Sequence, residues 1–293
     1  ASKKITVRKA LLQLHASVFL AGFTGILGVL IELNEGLLVW YRMAITVVTL
    51  LALLVLGKKW QHLPFTQVKK LFGIGMLIAL HWVFFYGSIK MANVSIGLVC
   101  VAGAGLFTAL LEPLFLKAKI KWTEVALGLL SLLGILLIFK FDARYRVGIG
   151  LGIVSAILAS IFSVLNKKEV DKQPAQMMMV YELTGGLFLL TLLMPLYLNY
   201  FNVVKIFPTL SDIGWLLILS WLCTVLAMDL ILQALKKVSA FTQNLTLNLE
   251  PVYGILLAFV VYQENKQLGT PFYLGISCIV LSVVFQIVRA SRS

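Results

Sequence analysis

Ten long apolar stretches fill nearly the whole chain, and they leave it few places to fold other than a lipid bilayer. They run over Ala10–Ile31, Gly36–Gly57, Val68–Ile89, Val94–Leu116, Trp122–Lys140, Val147–Leu165, Gln176–Leu198, Ile213–Leu235, Ala240–Tyr262 and Pro271–Val288. Each is close to the roughly 20 residues that a helix needs to cross about 30 Å of hydrocarbon. Hydrophobic residues make up 60% of the chain and charged residues 13%, so no soluble core accounts for such a pattern. The expected fold is all-α and integral to the membrane, with ten transmembrane helices. Loops of about a dozen residues at most leave no room for a separate soluble domain.

The charge distribution then sets a topology. A net charge of +13 can mark a nucleic-acid binder, but here the basic residues sit almost entirely at segment ends, where cytoplasmic flanks of membrane helices collect Lys and Arg. No nucleic-acid partner is needed to explain them. One set of faces holds 18 of the 25 basic residues, among them Arg8, Lys9, Lys58, Lys59, Lys69, Lys70, Lys117, Lys119, Lys121, Lys167, Lys168, Lys236, Lys237 and Arg289. That set is read as cytoplasmic, which places both termini inside a bacterial inner (plasma) membrane, as an even number of spans requires. The loop Lys140–Arg146 is the exception, with three basic residues on the outer side. The basic start leads into a stretch long enough to span, so it does not read as a cleavable leader. Cys100, Cys223 and Cys278 all fall inside apolar stretches without CxxC spacing. They read as small core residues and not as a disulfide framework or metal site.

Two halves of the chain align. Setting Val94-Ser95 against Val238-Ser239 pairs the third and fourth helices with the eighth and ninth, and brings Tyr41-Arg42 onto Tyr181-Glu182. A five-helix unit that starts inside ends outside, so its copy enters the membrane upside down. The expectation is two inverted five-helix repeats, 8–140 and 147–290, forming one membrane domain. Secondary transporters built this way hold their substrate near the midplane between the halves.

The second-half run ALKKVSAFTQNLTLNLEPVYGILLAFVVYQE resembles the EamA-like branch of the drug/metabolite transporter superfamily. That family's pattern places a small residue before the penultimate helix, a proline eleven positions on and a glutamate thirteen beyond. Here these are Ala240, Pro251 and Glu264. The first half departs from the pattern, with Phe107 at the expected proline position and Val101-Ala-Gly-Ala-Gly105 just before it. The resemblance, which covers about Arg8 to Arg289, implies export or exchange of small metabolites, often amino acids. The driving force it implies is a proton gradient or a counter-substrate.

Charge inside a bilayer is costly, so each ionisable residue at membrane depth calls for an account. Glu250 stands mid-span directly before Pro251, which cannot donate a backbone bond to the carbonyl of Leu247 and so leaves an acceptor for a cavity. Asn244 and Asn248 lie four apart on one helical face. With Glu250 they suit a midplane substrate site, or else a polar clamp between helices. Opposite them, the third helix offers His81, Trp82 and Tyr86, with the imidazole suited to a proton relay. Tyr181-Glu182 and Tyr41-Arg42 lie at matching depths from opposite faces. The first pair is taken as part of the substrate site, and the second as a gate or coupling pair. The plainer alternatives are an Arg42 that snorkels to the interface and a Glu182 paired with Lys167 or Lys168. His15, beside Gln13 and Ser17, and Asp229 are further gating or coupling candidates, although Asp229 has Lys236 and Lys237 within reach. Glu112, near Lys117–Lys121, reads as structural. Gly148, Gly152, Ala156 and Ser160 recur every four residues and read as a close-packing face.

No HExxH, GxSxG or Walker A motif is present, which argues against an enzyme or an ATP-driven pump. No filter-like loop or repeated charge ring suggests a channel. The reading is a cofactor-free secondary carrier of small metabolites such as amino acids, working by alternating access as a monomer or homodimer, with protons as a candidate coupling ion. A drug or nucleotide-sugar carrier and a non-transporting sensor or scaffold are the alternatives.

Overall fold

The computed structural model of the chain describes residues 6–92, 94–138, 145–250, 252–253 and 270–292, and all regular structure among them is helical. In chain order the helices are α1 Val7–Leu30, α2 Glu35–Leu56, α3 Phe65–Met91, α4 Val94–Ala102, α5 Ala104–Leu116, α6 Trp122–Ile138, α7 Arg146–Glu169 and α8 Ala175–Tyr200. They continue with α9 Leu210–Ser220, a π-helical turn Trp221–Leu226, α10 Ala227–Leu235, α11 Ala240–Leu247 and α12 Thr270–Arg292. Seven helical runs among the described residues are long and apolar enough to cross a membrane, counting Ile96–Leu116 and Leu210–Leu235 as one run each. Shorter apolar helices lie at Trp122–Gly134 and Ser277–Arg289. Pro251 and residues 254–262 of the ninth stretch, Glu264 beyond it, and residues 140–144 of the exceptional basic loop lie outside the described residues.

Local chemistry sets the helix boundaries. Thr6, Asn34, Thr209 and Ser239 each accept a hydrogen bond from a backbone N–H of the first turn that they precede, satisfying donors that a helix start leaves orphaned. At Thr209 the device is reciprocal, with Asp212 returning a bond to the Thr209 backbone. The VAGAG run interrupts the fourth stretch at Gly103, between α4 and α5. The eighth stretch stays continuous but widens over Trp221–Leu226, where the Thr224 hydroxyl donates 2.8 Å to the carbonyl of Leu219.

Small residues allow the tightest crossings. A Cβ on Gly75 of α3 would lie 1.6 Å from the Glu182 carbonyl oxygen of α8, and Gly186 would meet the Gly75 carbonyl at 2.6 Å. On α7, a Cβ on Gly152 would meet that of Cys100 at 2.4 Å, and Ser160 donates 2.9 Å to the Ala104 carbonyl. The Gly148–Ser160 stripe is thus the face that α7 presents to the end of α3, to α4 and to α5. Large apolar residues such as Leu133, Phe188, Leu192, Leu196 and Phe285 point outward, onto the surface that lipid solvates.

Contacts between loops sort the helix ends into two sets. At one end Gln67 bonds Glu169 at 2.7 Å, Glu112 accepts from the backbone N–H groups of Ala240 (3.2 Å) and Phe241 (2.8 Å), and Arg289 meets Thr123 and Glu124. This is the basic end. The carboxylate of Glu112 caps α11 at its positive pole. At the other, far end, the α1–α2 connection meets the ends of α3 and α8 and the start of α9.

Candidate functional site

Between these ends, α1, α2, α3, α4, α5, α7, the π turn, α10 and α11 line a cavity of about 1060 Å³, its open mouth included. Its walls are mostly aliphatic and aromatic. Ile78, Phe85, Leu98, Phe162, Met228 and Ile231 supply much of that surface. The polar groups are few and placed at separate points, as expected of a small-molecule site. The cavity extends from Arg42, near the far end of α2, to Asn166, Leu235 and Gln243 near the basic end.

Arg42 is 3% exposed and held on several sides. Its Nε donates to the Thr224 hydroxyl at 2.8 Å, Nη1 to the Tyr86 hydroxyl at 3.1 Å and Nη2 to the Cys223 carbonyl at 3.3 Å. The guanidinium carbon lies 3.7 Å from the centre of the Trp82 ring, a cation–π contact. The π turn has a plain role here: it presents both the Cys223 carbonyl and the Thr224 hydroxyl to the arginine, and such turns are often found at functional sites. Tyr86 is fully buried behind this arrangement and stays off the cavity wall.

Glu250, just beyond α11, brings a carboxyl group to the same cavity, with Oε1 3.1 Å from the Thr24 hydroxyl of α1. That hydroxyl also stands 2.6 Å from the Ala21 carbonyl, and a single proton serves both. Glu250 forms no ion pair with Arg42. The guanidinium and the carboxyl group share the cavity without touching.

The amides differ in how fully they are used. Asn244 accepts from Ser163 at 3.0 Å and donates to Thr108 at 2.7 Å, joining α11 to α7 and α5. Asn248 donates to Ser131 at 2.6 Å, while its Oδ1 has no partner among the described residues. Gln243 donates to Ser163 at 3.3 Å and likewise leaves Oε1 free. On the α3 wall, His81 Nδ1 lies 2.9 Å from the Ser155 carbonyl and 2.8 Å from its hydroxyl, with the ring stacked on Phe85.

The remaining candidates sit elsewhere. Glu182 is fully buried but behind the wall, with Oε2 3.5 Å from Asn166 Nδ2 and Oε1 unpartnered. Lys167 turns instead to the Leu235 carbonyl. Tyr181 packs on Trp60, and Tyr41 packs on Trp40 with its hydroxyl 3.3 Å from the Ile206 carbonyl. Asp229 accepts 2.6 Å from Gln233, in place of the expected lysines, and Gln233 also receives Gln13 at 3.3 Å. His15 lies off the cavity, half-buried on α1. Thr24, Ser163, Asn166, Gln243, Cys223 and Thr224 join the site without having been singled out. Gln243 stood in the quoted α11 run. The others are isolated Ser, Thr, Asn and Cys in apolar helices, which sequence gives no reason to prefer.

The cavity lining stops short of the far end, where a second polar cluster joins the helix ends. Asp212, 1% exposed, accepts from the Glu32 backbone N–H at 2.8 Å and from Thr209 N–H at 2.9 Å and Oγ1 at 2.8 Å. Lys205 bonds Glu32 at 2.7 Å and lies 3.2 Å from Asp212. The bond to Glu32, with Asp212 behind it, pushes the Lys205 ammonium above its ordinary pKa. Tyr197 adds a contact to Glu35 at 2.6 Å, and Lys90 reaches the Leu33 carbonyl.

A model of the EamA-like transporter family matches residues 8–140 and again 146–288, and the chain belongs to that family. It is therefore a multi-pass membrane protein of a transporter family. An "uncharacterized transporter" of Archaeoglobus fulgidus is 27% identical over 135 residues, 45% of this chain and 47% of that protein. The chain thus matches about half the length of that relative. A solved crystal structure shares the fold with TM-score 0.76 at 18% identity, over 97% of this chain and 98% of its own.

Proposed function

We propose that the chain is a secondary carrier that exports or exchanges small polar metabolites, amino acids among them, by alternating access. The observation that carries this reading is one mostly apolar cavity holding an arginine and a glutamate that do not pair, with a separate polar cluster beyond it at the far end. Apolar walls suit a substrate's body and the unpaired charges suit its poles. The far-end cluster suits the closed gate of a state that faces the basic end. Two inverted halves, ten spans and a cytoplasmic basic end complete the proposal. The packing supports the first of these: α3 lies on α7 and α8, and the α9–α10 run lies on α1 and α2, the exchange of partners that an inverted repeat requires. Protons are the proposed coupling ion, taken up at Glu250, which lines the cavity, in preference to Glu182, which does not.

The test is counterflow in proteoliposomes preloaded with amino acids, with and without a pH gradient. Trans-stimulated uptake that Glu250→Gln uncouples from the gradient is expected. No trans-stimulation by any amino acid, amino-acid amide or amine would overturn the carrier reading. Impermeant thiol reagents applied to single cysteines at Thr66 and Asn202 test the sidedness, and labelling of both from the same side of the membrane refutes it.

A further inference from the structure

Resting on that carrier reading, the geometry points to Arg42 as the anchor for a carboxylate of the transported molecule, with Glu250 left for a cationic group at its other end. A guanidinium has five N–H donors, and Arg42 uses three, to Thr224, Tyr86 and Cys223. Five less three leaves two donors, one on each terminal nitrogen, on a group that lines the cavity. No described carboxylate forms an ion pair with it. A buried cation with no counter-ion in contact is a costly thing to keep in a membrane protein. A neutral side chain could tie α2 to α3 and the π turn without that cost, so the charge itself calls for a purpose.

The guanidinium is also fixed before any ligand arrives. Trp82 covers one face at 3.7 Å. Thr46 and Ser220 hold the Arg42 backbone carbonyl at 2.7 and 3.2 Å, which pins the helical turn that bears the side chain. A donor set positioned in this way loses little freedom when it binds. Planar donors on a rigid fork match a planar carboxylate better than a tetrahedral or neutral group does. Glu250 faces the same space from the α1–α11 side, where Thr24 holds its Oε1. A molecule with a carboxylate at one end, an amine at the other and an apolar side chain between would meet both charges and the Phe85, Leu98 and Phe162 walls.

The experiment compares matched pairs: L-leucine, L-methionine and L-phenylalanine against their carboxamides and the corresponding decarboxylated amines. Thermal stabilisation of the purified wild-type carrier and counterflow in proteoliposomes are both read. The acids are expected to act at concentrations about tenfold or more below those of the amides, the loss typical of removing one charged partner. Arg42→Gln should erase the difference between acid and amide, and Arg42→Lys should restore part of it. Equal action of acid and amide on the wild type would overturn the anchor, as would an Arg42→Gln carrier that still prefers the acid. If amides or amines move and acids do not, the carrier reading stands and this inference fails. If no member of the panel gives counterflow, both fail. Should Arg42→Gln not fold, the wild-type acid–amide comparison decides alone.

Discussion

The far-end cluster and the cavity are both built from polar side chains inside an apolar bundle, yet they treat those groups in opposite ways. At the far end nearly every polar atom is used. Asp212 accepts from Glu32, Thr209 and Lys205, and Asn34 meets Gly36 and Tyr197. In the cavity the same kinds of groups are left with capacity: Asn248 Oδ1, Gln243 Oε1 and two donors of Arg42. Buried polar atoms are normally paired. A fully paired cluster fixes a shape, and a cluster with unused atoms beside a space awaits something that enters it.

The largest expected effect comes from breaking the paired cluster. Asp212→Ala removes the acceptor that joins the α1–α2 connection to α9, leaving the Glu32 and Thr209 N–H groups without their partner. Cys223 lines the cavity and serves as a native reporter. In a Cys100→Ala, Cys278→Ala background, an impermeant maleimide added from the far side should label Cys223 at least about tenfold faster in the Asp212 variant, a shift of about 1.4 kcal/mol in gate opening. An unchanged rate would show that the cluster is not the gate.

How much of this was legible beforehand depended on the range of the interaction. Apolar length is a local property, and it located the long helical runs among the described residues. The cost of buried charge singled out Arg42, Glu182 and Glu250; Arg42 is 3% and Glu182 0% exposed, and Glu250 lines the cavity. Which of them meet a cavity was not legible. Successive helical residues point about 100° apart, so Tyr41 and Tyr181 turn to Trp40 and Trp60 while their neighbours turn inward. The partners of Arg42 lie on α3 and on the π turn, more than 180 residues away in the case of Thr224. Nothing in Trp221–Leu226 announces a π turn.

A middle-sized effect should separate two asparagines that look alike in sequence. Asn244 has its amide engaged on both sides, so Asn244→Ala leaves the Ser163 O–H without its acceptor and costs about 1 kcal/mol of stability, on the scale of an unsatisfied buried partner. Asn248 is tied only through Nδ2 to Ser131. Asn248→Ala should lower thermal stability less and raise the half-saturation concentration in counterflow more. Thermal unfolding and counterflow on both variants check this. If Asn244→Ala proves the more damaging to substrate affinity at unchanged stability, the assignment of used and unused amides is reversed.

The smallest effect belongs to the exposed edge of the far-end cluster. The Lys205–Glu32 bridge is 2.7 Å long, but Lys205 is 37% and Glu32 74% exposed. Water and salt screen such a pair, and exposed bridges contribute little. Asp212 keeps its backbone partners when the lysine charge is gone, because Glu32 N–H and Thr209 N–H do not depend on it. Lys205→Gln should therefore change far-side labelling of Cys223 by no more than about twofold, and 0.5 M salt should produce a change of the same size in the unmodified chain. A labelling rate as fast as that of the Asp212 variant would move the gate from the buried carboxylate to the exposed pair, and the contrast between a paired seal and an unpaired cavity would have to be drawn at Lys205 instead.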